Sequence, residues 1–295
     1  GAGWFGAVGG LTCFLMPELT RESLIKCINS RHHYATTGGP SGRMRLSVSM
    51  SFDEPATQYL DDPMIAQACS TKKCLEAIMG DIVHLPIGNA NLKVSVDAAS
   101  SVRCIDIFNG LEHLECYRPY AESDLGDRIA VLWEGAEYRG RFRAVSWDGS
   151  AHFDKAKISS ISAVNFFNRD KTIDSVASSD LAWQSVTTGN FAGFITKLND
   201  SRSGSIEIKT ELINETVALV DIGYKDTILD ASDILPRGIR LFRLPNENTH
   251  KSVSIERKLE PQTGRDNPFY VRITLEDGTQ AWSSPIYVLR EVEKS

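Results

Sequence analysis

Phe269-Tyr270-Val271-Arg272-Ile273-Thr274-Leu275-Glu276, followed at once by Asp277-Gly278, decides the reading of this chain. Phe269, Val271, Ile273 and Leu275 alternate with Tyr270, Arg272, Thr274 and Glu276, the period of a strand with one buried face. Asp-Gly then reverses the chain into an apolar return from Gln280 to Leu289, as a hairpin requires.

The same grammar runs outward through most of the sequence. Leu92, Val94 and Val96 alternate with Lys93, Ser95 and Asp97, and Arg43 to Phe52 alternates in part. Val102 to Phe108 and Leu111 to Tyr117 flank Asn109-Gly110, a pair suited to the two positive φ angles of a type I′ turn. Further strands are expected at Arg128 to Glu134, Tyr138 to Ser146, Phe191 to Leu198, Ser205 to Leu212, Val217 to Tyr224 and Arg240 to Leu244. Many short strands between Asn-Gly, Asp-Gly and Ser-Gly turns predict a mainly β protein built on a large antiparallel β-sandwich.

Two segments read differently. Leu11 to Met16 is a short apolar run, followed by Thr20 as an N-cap and a helix over Arg21 to Ser30 with Leu24, Ile25 and Ile28 on one stripe. Residues 1–45 therefore form an expected β/α unit, and residues 46–295 the β-sandwich region. Within the latter a short helical insertion is predicted near 63–79, where Leu75, Ile78 and Met79 are spaced for a helix and Gly80 ends it.

The 295 residues suggest about two domains. With 32 Lys and Arg against 38 Asp and Glu, the net charge of −6 argues against a sequence-independent nucleic-acid binder, which must neutralise phosphates. No run of about 18 apolar residues exists to span a bilayer. The expectation is a soluble protein, cytoplasmic or periplasmic, with neither nucleic acid nor membrane among its partners. The chain opens on Gly1 without an initiator Met, which reads as a fragment.

Six cysteines, Cys13, Cys27, Cys69, Cys74, Cys104 and Cys116, include no Cys-x-x-Cys pair, so no zinc site announces itself. Only Cys104 and Cys116, either side of the expected hairpin, are placed to face each other. His113 with Glu112, Glu115 and Asp106 forms a cluster on the same hairpin, and solvent-facing charge is its plainer reading. His32-His33 cannot chelate one ion, because adjacent side chains diverge. The string Gly1-x-Gly3-x-x-Gly6 lacks the preceding strand of a dinucleotide site. Ser70-Thr71-Lys72-Lys73 has the spacing of penicillin-recognising enzymes without the Lys-Thr-Gly companion, and Ser70 serves as an expected helix cap. Arg139, Arg141 and Arg143 alternate along an expected strand and are candidates for gripping an anion, against the alternative of pairing with surplus carboxylates.

Several strings, in order, resemble a known family over nearly the whole chain. Gly9-Gly10-Leu11-Thr12, Glu18-Leu19-Thr20-Arg21-Glu22 and Arg31-His32-His33-Tyr34-Ala35-Thr36-Thr37-Gly38 resemble the closing β/α unit of a bacterial PHP-type (polymerase and histidinol phosphatase) metal-dependent hydrolase of uncharacterised function. Met79-Gly80-Asp81-Ile82, Phe108-Asn109-Gly110, Val131-Leu132-Trp133-Glu134-Gly135-Ala136, Ser146-Trp147-Asp148-Gly149, Asn165-Phe166-Phe167-Asn168 and Ala281-Trp282-Ser283-Ser284-Pro285-Ile286 are similar to that family's C-terminal region.

The resemblance implies a distorted β/α barrel holding divalent metals (Zn, Mn or Fe) that hydrolyses phosphate esters through metal-activated water. The His-x-His and Asp-x-His ligand motifs of that family do not occur here. The chain is thus expected to hold the last barrel unit and the accessory C-terminal β-sandwich of a phosphoesterase-like hydrolase. It is expected to have no catalytic residue, metal ligand or cofactor of its own and to be inactive alone. Its expected partners are the missing N-terminal barrel of the same parent or a second copy in a homodimer. Arg31, Tyr34, Thr36 and Thr37, at the helix exit, are the candidate substrate-binding residues. The competing function is a non-enzymatic β-sandwich module that binds carbohydrate or protein through exposed aromatics such as Trp4, Trp133, Trp147, Trp183 or Trp282.

Overall fold

The computed structural model describes residues 9–38, 43–66, 68–140, 143–166 and 171–290. The chain is mainly β, and it divides into two compact units: residues 1–119 with 250–295, and residues 120–249 inserted between them. No boundary falls near residue 45: residues 11–36 belong with the first unit, because the strand at His33–Thr36 pairs with Ala281–Ser283 and the strand at Leu11–Phe14 pairs with it in turn.

The first unit begins with β1 (Leu11–Phe14), α1 (Arg21–Asn29), β2 (His33–Thr36), β3 (Arg45–Tyr59) and β4 (Thr71–Ile78). It continues through β5 (Ile82–His84), β6 (Ala90–Asp97), β7 (Val102–Asn109) and β8 (Glu112–Tyr117). The inserted unit comprises β9 (Leu125–Gly135), β10 (Val145–Ser146), β11 (Gly149–Asp154), β12 (Ile158–Val164), β13 (Ile173–Ala177) and β14 (Asp180–Trp183). It goes on with β15 (Val186–Thr187), β16 (Phe191–Leu198), β17 (Ser205–Thr210), β18 (Asn214–Ala218), β19 (Thr227–Asp230) and β20 (Arg237–Pro245). The chain then returns to the first unit as β21 (Ser252–Leu259), β22 (Arg265–Leu275), β23 (Gln280–Ser283) and β24 (Ile286–Arg290).

In the first unit, twelve strands among the described residues form one sheet, ordered β1-β2-β23-β22-β24-β5-β3-β6-β21, with β4 added to β3 and the β7–β8 hairpin added to β22. Every pairing is antiparallel except β24 with β5. The alternating residues read from the sequence make its core: Leu46, Val48, Met50 and Phe52 of β3, Leu92, Val94 and Val96 of β6, and Phe269, Val271, Ile273 and Leu275 of β22 share one buried cluster. Buried Asn267 ties three segments together, donating to the carbonyls of Gln262, Arg265 and Val288 while its Oδ1 accepts from Asn109 Nδ2 at 3.1 Å.

Helix α1 forms as expected. Thr20 is extended and accepts from Ser23 N at 3.2 Å, and Glu22 sits in the positively polarised first turn. The barrel remnant is not what surrounds it. β1 and β2 run antiparallel, Leu11 opposite Thr36, whereas a β/α barrel unit joins parallel strands.

The helical insertion near 63–79 is also replaced. Residues 63–65 make a single turn held by Asp62, and Thr71–Ile78 is β4, paired from Thr71 with Tyr59 to Ile78 with Ser49. Leu75 and Ile78, spaced for a helix, are exposed, while Ala77 and Met79 are buried in strand alternation. The long β3 offers partners for every residue of the segment except Leu75, at a register shift, and that pairing overrides weak local helical spacing. Ser70 closes the hairpin through its carbonyl rather than capping a helix. At the β7–β8 turn, Asn109 pairs with Glu112, so the loop is Gly110-Leu111. Only Gly110 has positive φ, at 59°, which fits a turn with Gly in its first central position better than the type I′ turn expected of Asn109-Gly110.

The inserted unit is a β-sandwich. The antiparallel sheets β13-β14-β11-β17-β18 and β12-β16-β9-β20-β19 face each other, with β10 and β15 pairing separately. Ile129, Val131 and Trp133 of β9 meet Ala151, Phe153, Leu181, Trp183, Ile206 and Ile208 of the other sheet in one core. Ala130 and Leu132 join a second cluster with Phe191, Phe242 and Leu244, so β9 is buried on both faces.

A thiol–carboxylate cluster and a charged cleft

Among the described residues, one place in each unit gathers groups capable of chemistry. In the first unit the β7–β8 hairpin and β22 put Cys104, Asp106, Cys116 and Arg272 on one face. Asp106 stands opposite Cys116 on β8 and opposite Arg272 on β22, and Cys104 lies two residues along β7. The two sulfurs and an Asp106 carboxylate oxygen all lie within 4.8 Å of one another. Cys104 is buried and Cys116 exposed, and neither is in a disulfide.

Asp106, 5% exposed, is held from two sides. Arg272 donates to Oδ2 from Nε at 3.1 Å and from Nη2 at 2.9 Å, and His113 Nε2 lies 2.9 Å from Oδ1. The Arg272 guanidinium also rests 5.3 Å from the Phe108 ring centroid, and Phe108 stacks on Tyr270 at 4.9 Å. These contacts orient Asp106 and occupy both of its oxygens.

Cys104 Sγ lies 4.0 Å from Asp106 Oδ2, and the two neighbouring thiols dominate each other's acidity through the bond that one donates to the other's thiolate. Cys116 donating to Cys104 pulls Cys104 down to about 6; burial and Asp106 oppose this, while Arg103 and Arg118 assist. The same bond, then burial, the charge on Cys104 and Asp106, pushes Cys116 upward. The pair therefore gives up its first proton readily and its second with difficulty.

In the inserted unit a cleft of about 520 Å³ is lined by Glu134, Gly135, Ala136, Arg143, Thr188, Gly189, Ile228, Asp230, Ser232, Leu235, Pro236, Arg237, Gly238 and Arg240. Adjacent β9 and β20 supply its floor, since Glu134 stands opposite Gly238 and Leu132 opposite Arg240. Arg240 bridges Glu134 at 3.0 Å and Asp226 at 3.3 Å, and Arg237 pairs with Glu137. Hydrogen bonds from the Ser232 hydroxyl and backbone amide hold Asp230 below the usual carboxylate range, so it stays ionised. Arg143 donates from Nε to the Glu137 carbonyl at 3.0 Å and makes no ion pair among the described residues.

The arginine row expected on a strand is not one. Residues 136–140 and 143–144 are irregular, Gly140 and Arg143 adopt φ of 107° and 54°, and only Val145–Ser146 is extended. Left-handed positions break the alternation on which a shared face depends. Arg143 lines the cleft, Arg139 is exposed and sits 5.6 Å from the Tyr138 ring centroid, and Arg141 lies outside the described residues.

The four residues at the helix exit serve neighbouring backbone. Arg31, at φ 58°, donates from Nε to the Gly80 carbonyl at 3.0 Å and pairs with Asp62 at 3.5 Å. Buried Tyr34 donates its hydroxyl to the Met44 carbonyl at 2.6 Å, and Thr36 is buried beside it on β2. Thr37 exchanges bonds with Gln280, its amide donating to the Gln280 carbonyl and its hydroxyl accepting from the Gln280 amide, each at 2.9 Å.

Of the tryptophans proposed as a platform, Trp133, Trp147 and Trp183 are buried and Trp282 is half-buried, while Trp4 lies outside the described residues. His32, unable to chelate with His33, instead sits 2.9 Å from Asp81. Arg272 and the cleft residues Glu134, Asp230, Arg237 and Arg240 carried no local sequence signal. Arg272 reaches Asp106 across 166 positions, and only the β7–β22 register brings them together.

Fold and sites together define a mainly β protein of two units, one bearing a thiol–carboxylate cluster and the other a charged cleft. No helix among the described residues is long and apolar enough to cross a membrane. No protein-family model, no curated protein and no solved structure matches the chain.

Proposed function

We propose that the inserted sandwich is a binding module for a small polyhydroxylated molecule carrying a carboxylate, an acidic sugar in chemical class. The observation that carries this reading is the cleft, whose volume falls in the range of about 300–1,000 Å³ usual for small-ligand sites. Arg143 has no carboxylate partner among the described residues and supplies the anion contact. Glu134, Asp230 and Ser232 supply acceptors for hydroxyls, and Ile228, Leu235 and Pro236 an apolar wall. Burial of Trp133, Trp147 and Trp183 speaks against a flat aromatic platform for neutral polysaccharide.

The test is calorimetric titration of the full chain with a uronic acid and with the matching neutral hexose. The uronic acid is expected to bind saturably and the neutral sugar about tenfold more weakly, a difference of about 1.4 kcal/mol. Arg143→Ala should erase that preference without changing the melting temperature. Absence of binding by either sugar defeats the reading.

A second reading retains the resemblance to a PHP-type hydrolase, with this chain as the accessory β portion of a metal-dependent phosphoesterase. The apolar face of α1 supports it: Ile25 and Ile28 are about half exposed and neighbouring Leu19 is 90% exposed. Such a face suits a covering domain. On this reading the purified chain leaves aryl phosphate esters intact with added Zn²⁺ or Mn²⁺, and metal-dependent turnover by it overturns the assignment.

A further inference from the structure

We infer that Cys104 and Cys116 form a redox-active dithiol, which low-molecular-weight disulfides close into a cross-strand bond between β7 and β8. Their sulfurs lie within 4.8 Å on one face of the hairpin, one buried and one open to solvent. Cys104 and Cys116 are diagonal neighbours across the ladder, because Asp106 is the direct partner of Cys116. Strand twist draws such diagonals together, and the register shift between Ile107 and Phe108 adds to it.

The same residues offer a divalent cation two thiolates and a carboxylate, and the surroundings decide between the two chemistries. Both Asp106 oxygens are already engaged, one by Arg272 and the other by His113. Arg103 and Arg118 add positive charge at the sulfurs. A cation would face guanidinium groups and would have to displace charge-assisted bonds, whereas a thiolate is stabilised by the same groups. The thiol-to-thiol hydrogen bond lets the pair carry its single negative charge on either sulfur.

Within the singly ionised pair the proton on exposed Cys116 passes to Cys104, and the Cys116 sulfur, now a thiolate, attacks one sulfur of the small disulfide. That S–S bond breaks, one small thiolate leaves and takes up the proton the pair released on ionising, and a mixed disulfide forms. The Cys104 thiolate then attacks the Cys116 sulfur and expels the second small thiolate, which takes the proton from Cys104. Two protein thiols are oxidised and one small disulfide is reduced to two thiols. Diagonal positions lie just beyond the separation a relaxed disulfide spans, so closure draws the two strands together and the bond is readily reversed by thiol. Its effect falls on β8, which among the described residues pairs only with β7.

The experiment treats the full chain with oxidised glutathione at neutral pH and reads intact mass and disulfide-linked peptides. The expected product has lost two hydrogens, retains no glutathione at either position and carries a linked Cys104–Cys116 peptide; dithiothreitol restores the starting mass. Cys104→Ser should trap glutathione on Cys116. Stable glutathione on Cys116 of the unsubstituted chain overturns the proposal, as does an unmodified pair while the half-buried thiols of Cys13, Cys69 or Cys74 react. So does one equivalent of tightly bound Zn²⁺ that protects both thiols. The unsubstituted chain alone decides the matter if the variant fails to fold.

Discussion

The indole rings of Trp133 and Trp183 stack 4.9 Å apart and 10° from parallel, one contributed by each sheet of the inserted sandwich. Each ring also satisfies its N–H. Trp133 Nε1 donates to Ser185 Oγ at 2.9 Å, and Trp183 Nε1 donates to the Trp147 carbonyl at 2.6 Å. The stack is thus both packing and polar register between sheets.

Replacing Trp183 with Ala should cost the inserted unit about 3–5 kcal/mol, since it opens a cavity and removes a buried donor. Urea unfolding followed by the remaining tryptophan fluorescence measures this. A cycle with Trp133→Ala should show a coupling well above zero, because the two rings share one contact.

Arg243 on β20 organises the other side of that unit. Its Nε donates to the Ile222 carbonyl at 2.9 Å, Nη1 to the Gly126 carbonyl at 3.0 Å, and Nη2 to the carbonyls of Ser201 at 2.9 Å and Leu219 at 2.6 Å. Lysine keeps the charge but concentrates its donors at one point and cannot serve four carbonyls set around a planar fork. Arg243→Lys should therefore destabilise by about 2–3 kcal/mol, read as a lower urea midpoint. A change below about 0.5 kcal/mol would count against this role.

His33 on β2 gives the first unit a pH dependence. Burial, and then the charges of His32 and Arg31, lower its affinity for a proton in the folded state. His32 in turn faces Asp81 at 2.9 Å, and the Phe14 ring lies 5.7 Å from His33. The unfolded chain binds the proton more tightly, so this contribution to stability is complete above the unfolded value of about 6.5 and is lost as pH falls toward the lowered folded value. Thermal melts from about pH 7 to about pH 5 should show the loss, and His33→Phe should flatten that part of the profile.

Much of the fold was legible because strand alternation is a local property. Phe269 to Leu275, Leu92 to Val96 and the helix capped by Thr20 stand where their periods place them. The failures share one cause. Leu75, Ile78 and Met79 mimic a helix, yet Thr71–Ile78 became β4 because a neighbouring strand was available to pair with it. The arginines after Tyr138 mimic a strand, yet Gly140 and Arg143 take left-handed conformations that end it. The nearness of Cys104 and Cys116 was visible in their positions on either side of Asn109-Gly110, although the register makes them diagonal neighbours.

By itself the sequence determined the β class, the helix at Arg21–Asn29 and the hairpin that joins the two cysteines. Each rests on periodicity, capping or turn chemistry within about a dozen residues. Only the tertiary structure decided that residues 120–249 form a separate sandwich, that Arg272 clamps Asp106, and that Arg143 and Arg240 line one cleft. Those facts depend on which distant strands exchange hydrogen bonds, and backbone groups pair with any strand of suitable register. The choice falls to the burial of whole faces, a quantity no short window of sequence contains.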